Sequence, residues 1–176
     1  MVALLSDLFG IQARSGCFCA GPYLHRRCAI DDDWSERMHA QCSVGQLGAK
    51  LSFSRLGFNY FISEQVFRYI LEAVHLLANH AWKLLPLYRF DPATALWRHH
   101  DAAPTLADAA TPSVTRQPDG ALVRQLAQAR RIVRAIEAAP PRPPASDPVL
   151  SSEFEQVRWF PLPGEATAQL VAAKAA

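Results

Sequence analysis

The chain has 176 residues, 50% of them hydrophobic, which is enough for one domain with a sizeable core. Its 18 Lys and Arg against 16 Asp and Glu leave a net charge of +2, and the arginines are not gathered into one run, so no nucleic-acid partner is expected. Charged residues and histidines break every apolar stretch short of the ~20 residues that a membrane span needs, no secretory leader is evident, and four cysteines in that setting read as reduced thiols of a cytoplasmic protein.

Taken in chain order, Val2 to Ser6 is expected to be a short buried strand, and Asp7 to Ala13 a brief helix or turn. The strand reading leaves Val2-Ala3-Leu4-Leu5 without a preceding partner, so the chain is expected to be a C-terminal fragment or truncated form of a larger protein. Arg14-Ser15-Gly16-Cys17-Phe18-Cys19-Ala20-Gly21-Pro22 follows as a Gly- and Pro-bounded loop that sets thiols beside a fixed positive charge. Residues 24 to 48 read as a loop with one helix near Ser35 to Gln41. The run Asp31-Asp32-Asp33 is most simply a helix N-terminus, where carboxylates favour exposed amide groups, or a solvated turn.

Leu51 to Phe58 is an expected strand with Leu51, Phe53, Arg55 and Gly57 on one face. Ser63 is an N-cap with Glu64 in the first turn of a helix. Val66, Ile70, Val74 and Leu77 carry that helix to about Leu85, where Pro86 ends it. Pro86 to Phe90 and the Trp97 region add a strand and a turn. Residues 102 to 120, rich in Ala, Pro, Asp and Thr, form a linker that closes a first unit of residues 1–101. Residues 121–176 hold a second helix, Gly120 to Ala138, then the stiff connector Pro140-Pro141-Arg142-Pro143-Pro144 and a tail. Leu122, Leu126, Ala129, Val133 and Ile136 make the apolar stripe of that helix, with Arg124, Arg131 and Arg134 toward solvent. Val157 to Pro163, with Trp159 and Phe160, is an apolar patch expected to dock on the core.

The run Arg14 to Pro22 resembles, position for position, the Arg-x-Gly-x-x-Cys-Ala-x-Pro loop of the class V aminotransferase family, which includes cysteine desulfurases and selenocysteine lyases. Arg55 followed by Phe58-Asn59-Tyr60-Phe61-Ile62-Ser63-Glu64 is similar to the arginine strand that runs into a long helix in that family, and Trp82 to Pro92 resembles a less characterised branch of it. The resemblance extends from about Val2 to about Trp97 and is weaker beyond. It implies an α/β fold of the small C-terminal domain type, with a few mostly antiparallel strands covered by the Ser63–Leu85 and Gly120–Ala138 helices. It also implies pyridoxal phosphate in the intact enzyme, an amino-acid substrate, a homodimeric parent, and a cofactor bound by a larger N-terminal domain or partner chain.

By the same resemblance, Arg55 grips the α-carboxylate of the substrate, for which a guanidinium has the two-pronged donor geometry. Cys19 takes the position of the sulfur-accepting thiol, with Arg14 lowering its pKa; Arg14 is also expected, with Arg55, among the substrate-binding residues, and Cys17 could act as a resolving thiol. Desulfurases commonly carry two histidines before that cysteine, where this chain has Cys17 and Phe18. The Schiff-base lysine of the family has no counterpart among Lys50, Lys83 and Lys174, so no pyridoxal phosphate is expected on this chain alone. Zinc on the cysteines with His25 or His39 is disfavoured by their spacing, and His99-His100-Asp101 reads as a polar turn. The alternative function is a non-catalytic module that binds a partner chain or carries sulfur on Cys19.

Overall fold

The computed structural model describes residues 1–16, 20–101, 120–139 and 147–175. Its first element corrects the sequence reading: Val2–Phe9 is helix α1 rather than a strand, with Leu4, Leu5 and Phe9 buried. Four apolar residues in a row fit either period. Leu8 and Phe9 extend the pattern at helical spacing, and Gly10 closes the turn at φ 62 with its N–H on Ser6 O. As a helix, Val2–Phe9 satisfies its backbone internally and needs no partner strand.

Strand β1 (Arg14–Gly16) leads to helix α2 (Gly21–Arg27) and helix α3 (Asp32–Ser43). Two helices thus stand where one was expected. Pro22 lies in the first turn of α2, a position where its missing N–H costs nothing. The acidic run does open α3: Asp31 caps it by accepting from Trp34 N at 2.8 Å, and Asp32 and Asp33 lie in its first turn. After a single 3-10 turn at Leu47–Ala49, strand β2 is only Phe53–Arg55, shorter than the Leu51 to Phe58 of the sequence reading because its partner β1 has three residues.

Helix α4 (Glu64–Leu84) starts at Ser63, whose Oγ accepts from Val66 N at 3.3 Å. Its buried seam is Tyr69, Ala73, Leu77 and Leu84, turned slightly from the expected stripe, and Val66, Ile70 and Val74 are half-buried. Strands β3 (Tyr88–Asp91) and β4 (Leu96–His99) form a second antiparallel ribbon. Asp91 accepts from Ala93 N and Thr94 Oγ1 to close its turn. Helix α5 (Ala121–Ala138) buries Leu126, Ala129 and Val133 as expected, with Arg124, Arg131 and Arg134 exposed. Helices α6 (Ser152–Val157) and α7 (Pro163–Ala175) replace the expected tail. The linker at 102 to 119 and the connector at 140 to 144 lie outside the described residues.

The architecture is mixed α/β with two separate two-stranded antiparallel ribbons among the described residues. The expected single sheet under two helices is not what organises the core. The main apolar cluster joins α1 (Leu4, Leu5, Phe9), α4 (Tyr69, Ala73, Leu77, Leu84), α5 (Leu126, Ala129) and Tyr88. A second cluster packs Phe154, Val157 and Leu162 on Ala49 and Phe90, so the apolar patch near Trp159 and Phe160 does dock, with Phe160 4.8 Å from the Phe90 ring. A third joins Leu24, Met38 and Leu51. Arg158 ties α6 to α7 through Glu155 at 2.7 Å and Glu165 at 2.6 Å. Across α4 and α5, Glu72 meets Arg130 and Glu137 meets Lys83, each at 2.6 Å. No helix among the described residues is long and apolar enough to cross a membrane.

Two positions test this packing. Gly48 donates its N–H to Pro92 O at 2.8 Å, and a Cβ there would meet Phe90 Cζ at 2.5 Å and Pro92 O at 3.0 Å. Gly48→Ala is expected to lower the unfolding free energy by about 1–3 kcal/mol in a urea melt, the usual cost of overpacking. Tyr69 donates to Phe9 O at 2.7 Å, and burial pushes its pKa from 10.0 up to about 12. A tyrosine that ionises later folded than unfolded stabilises the native state fully below pH 10. That contribution is lost as pH rises toward 12. Alkaline melts across this window should fall more steeply for the native chain than for Tyr69→Phe.

Candidate functional site

The two arginines chosen from the sequence meet on one rung. In the β1–β2 ribbon Arg14 is the cross-strand partner of Arg55, Ser15 of Ser54 and Gly16 of Phe53. Directly opposed residues share a face, with Cβ atoms about 5 Å apart, so both guanidiniums leave the same side of the ribbon, and both residues are exposed. The serines of the next rung face the other way.

The ribbon is held at both ends. Ala13 and Leu56, the residues just outside the arginine rung, pack on the α1–α4–α5 cluster. Phe53, at the other end of β2, packs on the Leu24, Met38 and Leu51 cluster. Leu51 also donates its N–H to Met38 Sδ at 3.2 Å. Gly16 has φ 134, a conformation side chains rarely adopt, so the Arg-x-Gly spacing ends β1 on a residue without Cβ.

Beyond β2, Phe58 lies edge-on to Phe67 at 5.4 Å. The segment into α4 is strongly exposed, with Tyr60 at 99% and Phe61 at 71%. These aromatics flank the rung in sequence, and sequence reasoning gave them no role.

Cys19 and Cys17 lie outside the described residues. Of the other thiols, Cys28 is exposed and Cys42 half-buried, both free, and burial raises the pKa of Cys42. Asp31 to Asp33 serve the start of α3, Asp33 pairing with Arg37. His25 and Ser35 meet at 3.3 Å between α2 and α3. His99 and His100 sit at the end of the β3–β4 ribbon, where His100 Nε2 lies 3.0 Å from Pro86 O. No group of three His, Cys, Asp or Glu among the described residues could hold a metal ion. An open groove of about 630 Å³ runs along α4 and α5, lined by residues such as Glu72, His75, His80 and Arg130, and does not include the arginine rung.

The lysines do not fit a site for covalently held pyridoxal phosphate. Such a site needs an amine free to lose its proton inside a pocket. Lys83 is committed to Glu137 and to His80 Nδ1 at 3.3 Å. Lys174 donates to the carbonyls of Ile136 and Ala139 at the end of α5. Lys50 is exposed.

Like charges directly opposed across a ribbon are destabilising. Arg14→Thr, which also brings a better strand former, is expected to raise the unfolding free energy by about 0.2–1 kcal/mol at low salt. The gain should shrink near 1 M salt, where charges are screened within about 3 Å. Paired urea melts at low and high salt read both effects. No family model, curated protein or solved structure matches the chain.

Proposed function

We propose that this chain supplies the substrate-carboxylate grip of a pyridoxal-phosphate-dependent class V aminotransferase-like enzyme, a cysteine desulfurase or a related amino-acid transferase or lyase. The observation that carries the reading is the pairing of Arg14 with Arg55 on an exposed rung. A guanidinium has the two-pronged donor geometry that a carboxylate takes. Further support comes from the Ser63-capped helix that follows Arg55 and from the positive φ of Gly16 at the end of β1.

In this reading Arg55 binds the α-carboxylate through two parallel N–H donors. Arg14 adds a second positive charge close to the rung and close in sequence to Cys19, where it favours the thiolate. Cys19 then serves as sulfur acceptor. Because the lysines of this chain are engaged or exposed rather than pocketed, the cofactor belongs to a further N-terminal domain or a partner chain, in a parent expected to be a homodimer.

A second reading, a non-catalytic module that docks a partner chain, is favoured by the exposed Tyr60 and Phe61. Arg55→Lys in the enzyme reconstituted with its cofactor-bearing part separates the two. A lysine keeps the charge but loses the paired donors, so KM should rise about tenfold or more, the worth of a charge-assisted hydrogen bond. An unchanged KM would make Arg55 structural and leave the docking module as the better account.

A further inference from the structure

We propose that the groove between α4 and α5 is a binding site for a small aromatic carboxylate, separate from the arginine ribbon. Its volume of about 630 Å³ falls within the roughly 300–1,000 Å³ of small-molecule sites, and clefts between packed helices are a common place for them. From Glu72 to His80 the groove follows about 12 Å of α4.

The lining offers an apolar wall and a polar end. Leu71 is 38% exposed and belongs to none of the apolar clusters. Leu76, which also lines the groove, packs on the main cluster and continues that wall. Arg130 donates to Glu72 Oε2 at 2.6 Å and makes no other hydrogen bond among the described residues. A guanidinium carries several donors in a fixed fork, so Arg130 keeps N–H groups for a second carboxylate. His75 makes no side-chain hydrogen bond or ion pair among the described residues, and it stands one turn from Glu72 on the same face of α4.

The far end of the groove differs. There Lys83 is engaged by Glu137 at 2.6 Å and by His80 at 3.3 Å, so an incoming carboxylate is directed to Arg130 instead. A ring rather than an alkyl chain suits a wall that also carries two flat imidazoles, His75 and His80. With its ring against Leu71 and Leu76, the ligand removes from water an apolar side chain that the core leaves exposed.

The test is calorimetric titration of the full 176-residue chain with sodium cinnamate, and with cinnamyl alcohol and sodium acetate for comparison. Cinnamate is expected to bind about tenfold or more tighter than either, since the alcohol lacks the charge-assisted contact and acetate lacks the ring. Arg130→Gln and Leu71→Ser should each lower its affinity about tenfold, whereas Arg131→Gln, an equal loss of charge at the next position of α5, should change it little. Glu72→Gln should tighten binding, because it removes the carboxylate that competes for Arg130. An exposed ion pair adds little to stability, so the Glu72 and Arg130 variants remain folded, which unfolding curves verify.

Absence of saturable cinnamate binding by the folded chain would overturn the proposal. So would an affinity that Arg130→Gln lowers no more than Arg131→Gln does, since the ligand would then lie outside the groove.

Discussion

The contact on which the rest depends is the packing of α4 against α1 and α5. Ala73 and Ala129 are almost wholly buried, and small residues at a crossing let two helices approach closely enough for Leu77, Leu84 and Leu126 to interlock. Each large apolar side chain buried there contributes about 1.5–3 kcal/mol, and Tyr69 closes the seam by bonding Phe9 O at the end of α1. Neither ribbon has strands longer than four residues. An isolated two-stranded ribbon is marginal in water, so both persist because the helical body holds them.

That dependence explains how an unfavourable pair of charges is tolerated. Ala13 and Leu56 bury against the main cluster on either side of the arginine rung, and the apolar gain of two such anchors exceeds the fraction of a kcal/mol lost to an exposed like-charge pair. The C-terminal helices work in the same way at the other ribbon. Phe154, Val157 and Leu162 close over Ala49 and Phe90. Arg158 holds α6 to α7 through Glu155 and Glu165, keeping the Glu165 carboxyl below its usual pKa.

What the sequence made legible was local. Ser63 with Glu64 marks a helix start without reference to anything else in the chain. Asp31 to Asp33 do the same for α3, and the four-and-three spacing from Leu122 to Ile136 fixes the inner face of α5. The misreadings came where local signals are shared between structures. Val-Ala-Leu-Leu suits a strand or a helix until Leu8 and Phe9 are included. Gly21-Pro22 suits a loop or a first helical turn. Ser151 to Glu155 and Pro163-Gly164-Glu165 are helix starts of the ordinary kind, passed over because they follow a proline-rich connector. The Arg14–Arg55 pairing was beyond local reading altogether, since strand register between distant segments is set by what buries Ala13, Phe53 and Leu56.

The placement of the cations carries the functional argument one step further. Arg130, Arg158 and Lys83 lie against carboxylates, and Lys174 lies against helix-end carbonyls. Each of those contacts favours the folded chain. The ribbon sets a guanidinium opposite a guanidinium on an exposed face, where threonine or valine would suit a strand better. The anchors at Ala13 and Leu56 then have two consequences at once. They hold two short strands to the helical body, and they keep Arg14 and Arg55 on facing positions of one rung.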